Sequence, residues 1–287
     1  MIDRTQTPLS ELILFGEKTL SDAGIVSPKR EVRLLIAYAL QIDLSKFLMM
    51  DKSTLVPSKL IKSYIRRRAQ HEPFAYITGK KGFWSLELKV SPSTLIPRAD
   101  SEALIEALLL RLVDRDYPYQ ILDLGTGTGC LMLAALSEYK KAFGVGVDKI
   151  KKTLDLAKKN AERAKLRDRL AFVQSDWASS ISGKFDVVIS NPPYIPTSNI
   201  ETLMPDVKNF EPLVALDGGR DGLDYYRIIC NQAVDLLTKS GILILELGIN
   251  QDQDVVEIAR FKGLAVVQKQ QDLNGCVRAL VLVRSTI

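Results

Sequence analysis

The chain of 287 residues is poor in the residue types that build metal centres and acid–base triads: it holds three cysteines and one histidine. Cys130, Cys230 and Cys276 lie far apart with no Cys-x-x-Cys pair, so a zinc site of the usual Cys/His spacing cannot be assembled. A Ser-His-Asp or Cys-His enzyme would have to use His71 as its base, and the stretch RRRAQHEP around it reads more simply as a solvated helix end. Long hydrophobic runs are also missing. The best, Gly241 to Ile249, is strand-sized and contains Glu246, well short of the roughly 18 apolar residues of a membrane span. The opening MIDRTQTPLSELILF has no basic region followed by an apolar stretch and is not Arg-rich, so a cytoplasmic location is expected. Glycine (17) and proline (12) are too sparse for a collagen-like or low-complexity chain, and no internal repeat is visible.

What is present is ordinary globular composition, 46% hydrophobic and 25% charged, at a length that suggests a large domain plus a smaller one. The net charge of +5 is unevenly placed. Residues 1 to 80 carry 13 Lys+Arg against 8 Asp+Glu, and the remainder balances at 26 of each. That basic segment could steer toward an acidic partner, or Arg66, Arg67 and Arg68 could simply form the last turn of a solvated helix. From Leu9 to about Glu72 the periodicity is helical, with no good strand; Ser27-Pro28 reads as an N-cap with proline at N1, and Gly24 as the stop of the preceding helix. Past Pro73 the period changes to two, Phe83, Ser85, Glu87 and Lys89 alternating with Trp84, Leu86, Leu88 and Val90 behind a GKKG turn, which predicts a β-hairpin. A helix is expected from about Asp100 to Arg115. Strands YQILDLG, AFGVGVD, RLAFVQSD, FDVVISN and ILILELG then alternate with helices, specifying a parallel sheet covered on both faces. The last two strands, LAVVQKQ and VRALVLV, flank Asn274-Gly275 and must pair antiparallel. The long connection from Pro192 to Gly222 has the length of a binding loop.

The first strand ends in Gly125-Thr126-Gly127-Thr128-Gly129 and delivers the chain to a helix N-terminus, the place where ligands bind in doubly wound folds. Cys130 occupies the position that a dinucleotide fingerprint gives to its third glycine. Asp148, 21 residues beyond Gly127, ends the second strand, where a carboxylate can accept hydrogen bonds from both hydroxyls of an adenosine ribose. NAD and S-adenosylmethionine both satisfy that pattern. Asp176-Trp177 end the third strand, offering an acceptor for an adenine amino group and an indole to cover the ring. The fourth ends in Asn191-Pro192-Pro193-Tyr194. An amide or aromatic amino nitrogen is a poor nucleophile because its lone pair is delocalised. The Asn191 side-chain oxygen and the Pro192 carbonyl can each accept one N–H of a planar NH2 group and aim its nitrogen at an electrophile. The prolines stiffen the loop without adding N–H donors, and Tyr194 can lie against the planar group.

Gly125 to Gly129, Asp148, Trp177 and Asn191 to Tyr194 resemble the Class I S-adenosylmethionine-dependent methyltransferases that act on planar amino groups, DNA amino-methyltransferases among them. PFAYITGKKGFWSLELKVSPSTLIPRADSE (Pro73 to Glu102) and FEPLVALDGGRDGLDYYR (Phe210 to Arg227) closely resemble the release factor glutamine methyltransferases, the HemK/PrmC family. The resemblance implies methyl transfer from S-adenosyl-L-methionine to the side-chain amide of the glutamine in the Gly-Gly-Gln motif of peptide chain release factors. It implies cofactor contacts at Gly125, Thr126, Gly127, Thr128, Gly129, Asp148, Trp177 and Asn191, to which the reading of the third strand's end adds Asp176. A substrate pocket at Asn191, Pro192, Pro193 and Tyr194 follows, with Asn191, Pro192 and Tyr194 catalytic. The family's Pro-Arg-Pro is here Pro97-Arg98-Ala99, and Val277 precedes Arg278 where an acidic residue is common.

The expected fold is therefore α/β: a Rossmann-like seven-stranded methyltransferase sheet with an antiparallel last strand, a helical bundle and a hairpin linker. The expected domains are a helical docking domain (1–72), the linker (73–98) and the methyltransferase domain (99–287). Release factors are the expected partners, with no metal, no membrane and no direct nucleic acid. Two other readings stay open, a nucleic-acid adenine or cytosine amino-methyltransferase that flips its base, and a non-catalytic module on the same scaffold.

Overall fold

The computed structural model describes residues 6–285. The chain forms two compact units, one running to Gly79 and taking in Met204–Phe210, the other comprising Lys80–Leu203 and the chain from Glu211 on.

In the first unit, β1 (Gln6–Pro8) leads into α1 (Leu9–Asp22), α2 (Pro28–Ala39), α3 (Leu44–Leu48), β2 (Leu55–Pro57), α4 (Ser58–Ala69) and α5 (Phe74–Thr78). The apolar faces of α1, α2 and α4 enclose Leu12, Leu20, Leu35, Ile36, Ile61 and Ile65, all fully buried. The helices approach closely at Gly16, where a Cβ would stand 2.8 Å from the Val32 methyls and 3.0 Å from Ile65 Cδ1. Gly24 ends α1 as expected, with φ 71°. Ser27 holds the N-cap position of α2, but its backbone is left-handed and its hydroxyl makes no cap bond. A strand appears where only helix was expected. β2 pairs antiparallel with β1, Gln6 opposite Pro57, and strands of three residues closed by prolines are too short to show a period of two.

The second unit opens with the hairpin β3 (Lys80–Phe83) and β4 (Leu86–Lys89). Its turn lies at Trp84-Ser85, not at GKKG, whose two lysines are already in β3. Trp84 adopts φ 53°, a conformation local turn chemistry would assign to glycine. Tertiary bonds hold it there: its backbone N–H donates to Glu102 Oε1 (2.8 Å) and its indole to Glu138 Oε1 (2.7 Å). After a 3-10 turn at Ala99–Ser101 comes α6 (Glu102–Arg111), shorter than the expected helix because Leu112 leaves the helical region and the Tyr139 hydroxyl takes its carbonyl (2.8 Å).

Then follow β5 (Gln120–Leu124), α7 (Cys130–Glu138), β6 (Phe143–Asp148), α8 (Lys151–Arg163), β7 (Leu170–Gln174), β8 (Phe185–Ser190), α9 (Pro205–Lys208), α10 (Asp224–Leu236), β9 (Leu237–Glu246), α11 (Asp252–Phe261), β10 (Leu264–Gln271) and β11 (Val277–Arg284). The seven-stranded sheet has the order β10-β11-β9-β8-β5-β6-β7, with β11 antiparallel to both neighbours. This is the Rossmann-like sheet with an antiparallel last strand that the alternation specified. Along each strand alternate residues serve opposite layers. Ile121, Val187, Ile189 and Ile244 pack with α6 and α7, while Leu122, Val188, Leu243 and Leu245 pack with α10 and α11.

The register fixes the site. Leu124 lies opposite Val147 on β6 and Ser190 on β8, and Ser190 lies opposite Leu245 on β9. The next residue on each strand, Asp148, Gly125, Asn191 and Glu246, therefore forms one row along the carboxyl edge of the sheet. Beyond β8 the connection carries α9, which belongs to the first unit. There Asp206 pairs with Arg68 (2.8 Å) and faces His71 Nδ1 (3.1 Å), and the buried Arg68 also pairs with Glu31.

Candidate active site

The glycine loop turns sharply because Gly125, Gly127 and Gly129 have φ of 75°, 56° and 83°. Gly125 and Thr126 donate backbone N–H bonds to Val147 O (3.0 and 2.8 Å), and the Thr126 hydroxyl donates to Asp123 Oδ2 (2.6 Å). Asp148 grips the same loop from the next strand: its Oδ2 accepts from Gly127 N (3.1 Å) and its Oδ1 from Ile150 N (2.9 Å). Burial raises the Asp148 pKa and pushes that of Asp123 up to about 7.

These residues border a cavity of about 170 Å³. Of the residues singled out from sequence, Gly125 to Thr128, Asp148, Asp176, Trp177, Asn191 and Pro193 line it, whereas Gly129, Pro192 and Tyr194 do not. Gly129 is the N-cap of α7 and Pro192 is buried. Trp177 packs against Tyr225, ring centres 5.0 Å apart, and its ring would lie 3.5 Å from a Cβ at Gly125. Asp176 is exposed and paired with Lys149 (3.0 Å).

The chain after β8 is held from several sides. The Ser190 hydroxyl donates to Leu124 O (2.6 Å), and Asn191 Nδ2 donates to Ser101 Oγ (3.2 Å). The Tyr194 hydroxyl donates to Glu246 Oε1 (3.3 Å), and the Tyr194 carbonyl accepts from Gln251 Nε2 (3.0 Å). A Cβ at Gly218 would stand 2.8 Å from Tyr194 Cα, so the returning loop presses directly on this backbone. Burial and the neighbouring Glu246 raise the Tyr194 pKa, so its phenol stays protonated. Burial likewise pushes the Cys130 thiol up to about 12, leaving it inert.

Sequence reasoning missed several members of the site. Arg98 and Ser101 line the cavity; Glu211, nearly fully buried, accepts from Ile96 N (3.0 Å) and pairs with Arg98. Tyr225 backs Trp177. Asn160 on α8 ties the loop to the hairpin, its Nδ2 donating to Thr128 O (2.9 Å) and Lys89 O (3.0 Å) while its Oδ1 accepts from Lys89 N (2.7 Å). The site thus presents acceptors at Asp148 and Asn191 beside a glycine-rich backbone. Among the described residues no cluster of three His, Cys, Asp or Glu side chains could hold a metal, and no helix is long and apolar enough to cross a membrane.

Residues 101–204 match the family model described as the methyltransferase small domain, and residues 11–79 match the PrmC N-terminal domain. The chain is 39% identical over 275 residues to the release factor glutamine methyltransferase of Rhodospirillum rubrum, covering 95% of this chain and 84% of that one. It is 40% identical over 281 residues to the protein of the same name from Agrobacterium fabrum, covering 96% and 97%. Among solved structures, a methyltransferase from Pyrococcus furiosus shares the fold with a TM-score of 0.54 at 18% identity, covering 77% of this chain and 99% of that one.

Proposed function

The chain belongs to the release factor glutamine methyltransferases, and from that premise we infer how its strand ends carry the reaction. It is an S-adenosylmethionine-dependent enzyme that methylates the side-chain amide nitrogen, N5, of a glutamine in peptide chain release factors. We take that glutamine to be the one in their Gly-Gly-Gln motif.

The cavity suits this cofactor on its own geometry. Asp148 is an acceptor at the end of β6, the strand end suited to the ribose hydroxyls. Gly125 to Gly129 leave room for close backbone approach, Trp177 with Tyr225 offers an apolar wall for a purine, and Asp176 can accept from its amino group. When bound, S-adenosylmethionine supplies an electrophilic methyl group on a sulfonium. Asn191 Oδ1 and the Pro192 carbonyl accept the two N–H bonds of the glutamine amide, which turns its nitrogen toward that methyl and favours loss of conjugation. Tyr194, protonated and held at its hydroxyl, contributes the face of its ring and Pro193 the rim. As the nitrogen–methyl bond forms the methyl–sulfur bond would break to leave a neutral thioether, and the amide proton, then strongly acidic, passes to water, so no side chain of the site has to act as a strong base.

The observation that carries this reading is the row itself: Gly125, Asp148 and Asn191 stand side by side on adjacent strands and line one cavity. We assign the helical unit, with the basic excess of the first 80 residues, to recognition of the protein substrate, in the cytoplasm and without nucleic acid. The rate at low release factor concentration should then fall as salt rises while cofactor binding stays constant. Incubation with methyl-labelled S-adenosylmethionine and either a release factor or nucleic acid tests the whole: label is expected on the protein, and label on nucleic acid alone would overturn it.

A further inference from the structure

The Tyr194 side of the substrate pocket is fastened by a residue far along the chain, Gln251, which follows β9 and holds the N-cap position of α11. Helix N-caps favour short side chains that bond the first free N–H groups of their own helix. Gln251 makes no such bond. Its amide turns back instead and bridges three backbone segments. Nε2 donates to the carbonyls of Tyr194 (3.0 Å) and Gly222 (3.4 Å), while Oε1 accepts from Gly248 N (3.1 Å), with the Tyr226 hydroxyl as a longer second donor (3.4 Å). The neighbours fix its orientation: turned over, the amide would set its oxygen against two carbonyls and its NH2 against the Gly248 N–H. Neither this amide nor the three backbone groups titrate. Three glycines make room for the clasp. A Cβ at Gly248 would collide with Gln251 Oε1 and stand 3.0 Å from Tyr194 Cδ2. One at Gly222 would collide with the Tyr194 carbonyl oxygen and stand 2.8 Å from Gln251 Nε2, and one at Gly218 would stand 2.8 Å from Tyr194 Cα.

We propose that Gln251 is a positioning residue for methyl transfer: by spanning the gap between the β9–α11 turn and the Tyr194 carbonyl, it sets where the Tyr194 ring stands against the substrate amide. The proposal rests on the role given to Tyr194 above. Gln251 does not line the cavity and acts on the reaction only through the backbone it holds. The far end of the tyrosine is tied separately, its hydroxyl bonded to Glu246 Oε1 (3.3 Å). A tyrosine tied at its hydroxyl alone can pivot about that point when its backbone shifts, and a misplacement of about 1 Å beside a reacting group can cost two orders of magnitude in rate. Tied at the carbonyl as well, the ring has two fixed ends. The glycine at 218 lets the returning loop close directly behind Tyr194 Cα, and the one at 248 brings the β9–α11 turn against the ring edge.

Gln251→Met keeps the length of the side chain without a donor or acceptor. Gln251→Glu keeps an acceptor for Gly248 N but, ionised at pH 8, has no proton for the two carbonyls. These two, Tyr194→Ala and the double variant Gln251→Met with Tyr194→Ala are compared with wild type at pH 8 for kcat and KM with a full-length release factor, and for S-adenosylmethionine Kd by calorimetry. Both Gln251 variants should lose roughly 10- to 100-fold in kcat, the cost of a misaligned group at the reacting centre. The cofactor Kd should stay within about two-fold, which also reports an intact fold. The double variant should be no slower than Tyr194→Ala alone, because without the ring Gln251 has nothing left to place. A wild-type kcat in Gln251→Met or Gln251→Glu, a loss seen only as a raised KM, losses that multiply in the double variant, or a loss matched by an equal fall in cofactor affinity would overturn the proposal. Wild-type turnover in Tyr194→Ala would overturn the role of Tyr194 and the proposal with it, and an inactive wild type would overturn the reading of the whole site.

Discussion

Replacing Asn160 by alanine should unsettle the glycine loop from a position that does not itself line the cavity. The side chain is 1% exposed and uses its whole amide: two N–H bonds bind the carbonyls of Thr128 and Lys89, and its oxygen takes the Lys89 N–H. Three hydrogen bonds at about 1 kcal/mol net each are lost, and the Thr128 carbonyl is left buried without a donor, adding about 1 kcal/mol or more. The expected destabilisation is roughly 4 kcal/mol, measured as a shift in the urea unfolding curve at unchanged slope. Because Thr128 is in the glycine loop, S-adenosylmethionine should bind several-fold more weakly in calorimetry at a temperature where the variant is folded. Asn160→Asp should be no better, since it would point a carboxylate oxygen at two carbonyls. A loss under about 1 kcal/mol would refute the energetic argument, and unchanged cofactor affinity would refute the link to the loop.

Asn191→Ala should lower kcat by roughly 10² to 10³-fold with cofactor Kd nearly unchanged, by analogy with lost oxyanion-hole donors; near-normal turnover with weaker cofactor binding would reverse its assignment. Asp148→Ala should act oppositely, raising KM for S-adenosylmethionine with a rate that recovers at saturation, and failure to recover would show a role in the chemical step. Glu246 and Asp123 titrate near pH 7 in the folded protein, against 4.5 and 3.8 as free side chains, because burial disfavours their charge. Between about pH 4 and 7 the folded chain therefore holds protons that the unfolded chain has released, and the part of its stability due to these two groups falls as pH rises through that window. Unfolding curves at pH 5.5 and 7.5 should show wild type losing more stability than Glu246→Gln, by up to a few kcal/mol; equal losses would contradict the assignment.

Much of the fold and part of the site could be read from the chain because strand-end residues are written in residue type. The glycine run, Asp148 and Asn191-Pro192-Pro193-Tyr194 each follow an apolar run, and alternation with helices places all three at one sheet edge. Glu246 follows an apolar run too, but it could be seen only as an interruption, since its partner Tyr194 comes to it through tertiary packing. Asn160 was hidden for a different reason. In IKKTLDLAKKNAERA it falls among lysines and reads as part of a solvated face, whereas the helix turns it inward onto two backbones. The hairpin turn was misplaced because Glu102 and Glu138, far along the chain, hold Trp84 in a glycine-like conformation.

The most direct measurement is to incubate the protein with a release factor and S-adenosylmethionine, digest the product, and locate the added methyl group by tandem mass spectrometry. The account predicts one methyl on the side-chain amide of the glutamine in the Gly-Gly-Gln motif, appearing roughly 10² to 10³-fold more slowly when Asn191→Ala replaces the wild type. A methyl group on any other residue, or the same modification at the same rate with Asn191→Ala, would contradict it.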